Sequence, residues 1–453
     1  MHLSAELLAR IQFAFTISFH ILFPSFSIGL ATFLAIMEGV WLKTKNPLYL
    51  SICKFWMKIF ALTFGMGVVS GIVMEFQLGT NWSGFTQVVG PVLGSLFTYE
   101  VLTAFFIEAG FLGVMIFGWN KVGPKLHYCA TLLVFFGVTL SAFWILSANS
   151  WMQTPSGAIL KDGHFVVTSW WQVIFNPSVI TRYIHMLLAA YITTILVIMA
   201  VSAFYLLKKQ HILFAQKCLA FGSSVLIVLI IAQIMVGDDA GIIDHEYQPI
   251  KTAAMEGNWE TQKGAPLILF AYPDDSESKN LWVVSIPHLA SVINTHQWNG
   301  VLQGLDSVPK SDRPFVPIVF YSFRVMVGLG FLILALAIWA LFLRLRKRLY
   351  DTPWFLKTCV AVGPAGFIAL IAGWFTAETG RQPWVVYNVL RTSDAVSDVL
   401  MKNVLISLVL IIVVYGIIFG FFYFRYFGKI IHHGPENLED MKMPFAYLHM
   451  EDK

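Results

Sequence analysis

Long apolar runs separated by short polar punctuation fill most of the chain. A bilayer-crossing helix needs about 20 apolar residues, and such runs lie near 11–42, 56–76, 96–119, 127–149, 182–207, 218–237, 318–343, 358–377 and 404–427. This pattern predicts about nine transmembrane helices. It divides the chain into helices 1–6 (residues 1–237), a polar connection (238–317), helices 7–9 (318–430) and a polar tail (431–453). The first run follows no basic start and is far longer than a signal-peptide core, so it reads as the first membrane helix.

Composition supports an all-α integral membrane protein. Of the 453 residues, 57% are hydrophobic, 15% aromatic and 12% charged, the last about half the soluble norm. Mean hydropathy is +0.70. The placement of lysine and arginine then sets the orientation. One set of helix ends carries Lys43, Lys45, Lys54, Lys58, Lys121, Lys125, Lys208, Lys209, Lys217, Arg344, Arg346, Lys347, Arg348 and Lys357, and the tail from Arg425 on joins them. The opposite connection at 77–95 has no lysine or arginine, and 151–181 has only Lys161. The N-terminus is therefore expected in the periplasm, the C-terminus in the cytoplasm, and the long 238–317 loop in the periplasm. Cys53, Cys129, Cys218 and Cys359 fall near cytoplasmic helix ends and read as free packing thiols. No CxxC or CxxCH occurs, which excludes a zinc ribbon and covalently attached haem. GMGVVSG at 65–71 resembles a dinucleotide fingerprint, but it lies within a membrane helix, where small residues serve helix contact. No nucleic-acid partner is expected.

Ionisable residues within membrane helices are functional candidates. With the topology above, His20, Glu75, Glu100, Glu108, His185 and Glu378 all fall in the outer half. Imidazole and thioether are common axial ligands of electron-transfer haems. His185 and Met326 match in depth, Gly330 follows Met326 one turn on, and Arg182 and Arg324 stand near them as partners for propionates. The alternative is an interfacial histidine and a packing methionine. Pro24 follows His20 by four residues, so a kink beside the imidazole is expected. Glu100 and Glu108 are eight residues apart, about 12 Å along one side of a helix, and read either as a proton relay or as neutral helix-joining acids. Thr139, Ser141 and Ser147 on the next helix are further candidates for that route. In GWFTAETGRQPW, Glu378 and Arg381 have i,i+3 spacing, which also suits a plain ion pair at a helix end.

Taken in order, several stretches resemble subunit I of the cytochrome bd quinol oxidases. They are ARIQFAFTISFHILFPSFSIG, MEFQLGTNWSGF, YEVLTAFFIEAGF, ILSANSWMQTPSG, TRYIHMLLAAY, QPIKTAAMEG, SFRVMVGLGF and GWFTAETGRQPW, and they run through nearly the whole chain. The resemblance implies two haem b groups, one low-spin and one high-spin, and one haem d, or a third haem b in its place. It implies that His185 and Met326 hold the low-spin haem, and that His20 and Glu378 are axial ligands in the high-spin pair, with the assignment between them open. Glu100 and Glu108 would carry protons, Lys251 and Glu256 would form the quinol site, and Arg324 and Arg381 would serve the haem surroundings. Trp374, one turn before Glu378, would be a packing or tunnelling neighbour. The implied partners are a second large membrane subunit (subunit II), small accessory subunits, quinol, O2 and the lipid of the bacterial inner membrane.

The loop is of the short type, sometimes associated with cyanide-insensitive oxidases, and Ala109 follows Glu108 where some relatives have a hydroxyl. The implied activity is quinol oxidation on the periplasmic side and O2 reduction to water with cytoplasmic protons, which builds proton motive force without pumping. Two rival readings are a proton-coupled transporter, which would use Glu100, Glu108 and Glu378, and a di-haem quinone reductase. The latter needs further histidines at matched depth, and His127 lies at the opposite end.

Overall fold

The computed structural model describes residues 4–436; the tail expected at 431–453 lies, beyond Glu436, outside them. Among the described residues nine helices are long and apolar enough to cross a membrane. They are α1 (Ala5–Thr44), α2 (Pro47–Thr80), α3 (Ser83–Phe117), α4 (Pro124–Gln153), α5 (Val179–Lys208), α6 (Ile212–Tyr247) and, after the long connection, three more. That connection holds α7 (Pro249–Glu256) and α8 (Leu289–Thr295), and the last membrane helices are α9 (Val316–Leu345), α10 (Pro353–Gly380) and α11 (Met401–His433). The strands pair into short two-stranded antiparallel sheets, the two longest of them hairpins: β1 (Ala158–Lys161) with β2 (His164–Val167), and β3 (Leu267–Asp274) with β4 (Lys279–Ile286).

Local chemistry sets the helix ends. The Ser4 hydroxyl caps α1 by accepting from the Leu7 N–H at 3.1 Å, and Asn46 caps α2, where Pro47 occupies the first turn. Lys45 and Lys209 close α1 and α5 in left-handed geometry. Pro24 sits inside α1, which continues unbroken to Thr44. Helices outrun the predicted spans because hydropathy records membrane thickness rather than helix length. At 36 residues α6 extends about 54 Å, well beyond the roughly 30 Å apolar layer.

In α1 and the segment containing α5, 61% and 67% of the most apolar window is buried, against 17–28% in α2, α3, α4, α6, α9 and α11. These two helices therefore form the centre, α10 is intermediate at 50%, and the others turn a face outward. All four cysteines are free; Cys53, Cys218 and Cys359 are buried as expected, but Cys129 is exposed on α4. The end bearing α7, α8 and both hairpins is here the loop face. The other end is the tail face, where Lys54 and Lys58 pair with Glu436.

Candidate haem and quinol site at the loop face

Polar side chains from five helices converge at the loop face. Glu378, in the last turn of α10, accepts from Asn149 Nδ2 and Gln153 Nε2 of α4 through Oε1, each at 3.0 Å. Its Oε2 accepts from Arg381, the i,i+3 pair read in the sequence. Arg182 of α5 lies 3.9 Å from the same carboxylate and also donates to Asn149 Oδ1. Gln153 Oε1 accepts from Lys251 Nζ of α7 at 2.8 Å, and Lys251 lies 3.2 Å from Asp244 Oδ1 of α6. An unbroken chain of contacts thus joins Asp244, Lys251, Gln153, Glu378 and Arg381.

Lys251 is fully buried, and that burial lowers its pKa to about 8 against the opposing pull of Asp244. The Cβ of any residue replacing Gly380 would lie 2.5 Å from Lys251 Cγ, so α10 ends on glycine where the lysine stem passes. At the other end of α7, Glu256 Oε1 accepts from Asn294 Nδ2 of α8 at 2.9 Å, and burial raises its carboxyl above the usual range. A cavity of about 220 Å³ opens beside α7, lined in part by Ile250, Gly380, Gln382, Trp384 and Tyr387.

This cluster is incomplete as protein alone. Arg381 Nε and Nη1, Arg182 Nε and His185 Nδ1 are buried without a partner, as is Glu256 Oε2. An unmade buried hydrogen bond costs about 1–3 kcal/mol, more for charged groups. Unspent guanidinium donors therefore fit an anionic group with acceptor oxygens, such as haem propionates. Arg324, expected in that role, differs. Its Nε and Nη2 donate to Ile268 O, and its Nη1 donates to Met255 O (2.7 Å) and Phe320 O (3.0 Å), so it ties the loop to α9.

The remaining expected residues lie in three places. His185 faces α6, where Gln233 Nε2 is 3.1 Å from its Nε2. The Met326 thioether lies against Gly373 of α10, where a Cβ would come within 2.8 Å of Sδ, while a Cβ at Gly330 would meet only open space. Trp374 is half-buried on α10. His20 is away from these, between α1 and α2: its Nδ1 meets Ser70 Oγ at 2.9 Å, and Gly71 leaves room for the ring. A metal-binding histidine is commonly oriented by such a bond from its other nitrogen.

Glu100 and Glu108 face α4. Ser141 donates to Glu100 at 2.7 Å, and the Glu108 side chain fills the space a Cβ at Gly137 would need, with its Oε1 buried and unpartnered. Between the two acids α3 makes a π turn, Val101–Phe105. That wider turn absorbs one residue, so eight positions rotate like seven, about 700°, and both acids come onto one face. Of the other hydroxyls read as candidates, Thr139 and Ser147 bond to backbone carbonyls instead.

Asn149, Gln153, Asp244, Ser70 and Gly137 were not singled out from sequence. The two amides stand within ILSANSWMQTPSG, where polar residues interrupt an apolar helix end. His127 is bound to Glu38 at the tail face, which removes it as a ligand for the loop-face cluster.

Among the described residues, nine apolar helices and an end with unspent guanidinium donors define an integral membrane protein with a site suited to an anionic group at one face. Residues 8–435 match the family model described as cytochrome bd terminal oxidase subunit I. Among curated relatives, cytochrome bd ubiquinol oxidase subunit 1 of Bacillus subtilis (strain 168) is 37% identical and covers 94% of each chain. Cytochrome bd-II ubiquinol oxidase subunit 1 of Escherichia coli (strain K12) is 34% identical over 90% of this chain and 93% of its own. Among solved structures, bd oxidase from Geobacillus thermodenitrificans superposes with a TM-score of 0.89 at 30% identity, covering 96% of this chain and 99% of that one. The chain belongs to the cytochrome bd terminal oxidase subunit I family, and it is a multi-pass protein of the bacterial inner membrane. Family membership implies haem cofactors and sets aside the transporter and di-haem reductase readings.

Proposed function

We propose that this subunit oxidises quinol at the loop face, which is periplasmic, and supports O2 reduction to water with protons taken from the tail face, so that proton motive force arises without pumping. The relatives named above are ubiquinol oxidases, and this chain is read as a quinol:oxygen oxidoreductase working with a subunit II. The observation that carries the reading is the contact chain from Asp244 and Lys251 on the loop side, through Gln153, to Glu378 and Arg381 at the membrane helix end.

His185 and Met326 would hold one haem, and His20 and Glu378 would serve the high-spin pair, haem b with haem d or haem b in its place. When bound, these groups supply electron transfer and an iron that binds O2. The chain's own residues do the rest. Arg381 and Arg182 offer donors to the propionate edges and stand beside the Glu378 carboxylate. Glu256, whose carboxyl is raised by burial, is suited to accept a quinol proton. Lys251 holds Gln153 and Asp244 in place and brings positive charge to the same helix. Glu108 and Glu100, on α3 and facing α4, would pass protons toward the loop face.

Oxidase assembled in liposomes tests this directly. Quinol oxidation should acidify the side bearing 238–317 in about one-to-one proportion with electrons delivered. Proton release on the other side would overturn the assignment.

A further inference from the structure

We propose that the β3–β4 hairpin lies in the headgroup layer of the membrane, with its apolar side chains against phospholipid, rather than standing in water above the bundle. The inference rests on the membrane-spanning fold and is independent of the redox roles proposed above.

The depth of the hairpin follows from its attachments to α9. Near its base, Ile268 O accepts from Arg324 Nε at 2.9 Å; midway, Ala271 O accepts from the Tyr321 hydroxyl at 2.9 Å. At the tip, Ser278 Oγ accepts from Arg313 Nη1 and Ser276 O from Lys310 Nζ, both at 3.2 Å. The hairpin therefore runs alongside the start of α9 with its tip pointing away from the bundle. From Val325 to Leu343, α9 carries no charged residue. That stretch extends about 28 Å, close to the roughly 30 Å apolar thickness of a bilayer. Arg324 thus marks the membrane boundary, and the hairpin base bonded to it lies at the same level.

The side chains match this depth. Phe270, Tyr272, Trp282, Val284 and Ile286 are 53%, 50%, 76%, 56% and 42% exposed, although they belong to a connection outside the membrane helices. On α9, below the hairpin base, Val325, Val327 and Phe331 are also exposed. Charged residues are instead gathered at the tip, as Asp274, Asp275, Glu277 and Lys279.

Backbone geometry gives a second, independent observation. Tyr272 pairs with Leu281 and Phe270 with Val284, so Trp282 and Val283 together oppose Ala271 in a bulge. Trp282 has φ of 50°, a left-handed conformation that is an outlier for a bulky side chain. Bulges re-aim side chains, and this one turns the indole outward, its ring 6.1 Å from that of Tyr272. Such a contortion gains nothing by presenting indole to water. In the headgroup layer, tryptophan and tyrosine satisfy both an apolar body and a polar edge.

The test uses the complete oxidase in phosphatidylethanolamine/phosphatidylglycerol nanodiscs. Nitroxide labels are placed singly at Tyr272→Cys, Val284→Cys and Ser276→Cys in a Cys129→Ser background, with the visible spectrum checked against the parent. Relaxation by O2 should exceed relaxation by a nickel chelate several-fold at 272 and 284, and the order should reverse at 276. Chelate access at 272 and 284 equal to that at 276 would overturn the proposal, as would protection from both reagents, which would mean that protein covers the hairpin. On the unsubstituted oxidase, a photoactivatable phospholipid should cross-link to the 267–286 peptide as well as to α9. Adducts on α9 alone would also overturn the proposal.

Discussion

The two ends of the bundle both bury charge, but they resolve it differently. At the tail face, Glu38 of α1 accepts from Thr131 and pairs with His127 of α4, each at 2.6 Å, and the acid and imidazole are 1% exposed. Both carboxylate oxygens are used, and the imidazole packs on Trp119 with ring centroids 3.9 Å apart. At the loop face, Arg182, Arg381 and Lys251 gather around two acids, Glu378 and Asp244, and both arginines retain unpartnered donors. The tail-face pair leaves one imidazole nitrogen, His127 Nε2, without a partner, whereas the loop-face set leaves three guanidinium nitrogens, Arg182 Nε and Arg381 Nε and Nη1. Spare donors on charged groups of one sign fit a site that an anionic group completes; the tail-face set, with both carboxylate oxygens used, fits a helix-joining pair.

Substitutions at the two ends should therefore behave differently. The largest effect is expected at the ligand positions. His185→Ala or Met326→Leu should abolish or convert the low-spin haem signal in reduced spectra and leave the high-spin bands; an unchanged low-spin spectrum would remove that residue as a ligand. Glu378→Ala should follow, because removing one partner of a buried ion pair costs about 3–5 kcal/mol. Haem content and thermal stability should fall together, and the matching Glu38→Gln at the tail face should lower stability with haem spectra intact. Were Glu38→Gln to lose haem, the contrast between the two ends would fail.

Lys251→Ala and Glu256→Ala should slow quinol oxidation about tenfold or more without altering the spectrum, an effect of about 1.4 kcal/mol or more. The pH profile sharpens this. Below about pH 8 Lys251 is charged and holds Asp244 and Gln153; above it the charge is lost, so the parent rate should decline there, while Lys251→Met should be slow and flat across the same interval. The smallest effect is expected from Gly137→Ala. The added methyl would press on Glu108 Cγ from 2.6 Å, which costs about 1–3 kcal/mol of packing and should slow turnover a few-fold with all haem bands present.

Sequence alone determined the number of membrane helices, because an apolar stretch must match bilayer thickness and so leaves a mark in consecutive residues. It also singled out His20, His185, Glu378 and the acids of α3, since polar groups in apolar helices stand out one at a time, whereas Met326 was drawn out by its depth beside His185 and by the family resemblance. Only the tertiary structure decided which of these share a neighbourhood. Gln153 joins Lys251 to Glu378 across about 100 and 225 residues of chain, a link that no local pattern encodes. Arg324 looked like a cofactor partner by its position beside Met326, yet carbonyls of a loop more than 50 residues away take its donors. The π turn in α3 likewise realigns two acids by a rotation that ideal helical spacing does not contain. Hydropathy is summed along the chain, whereas hydrogen-bond partners are settled by whichever segments the fold brings within about 3 Å.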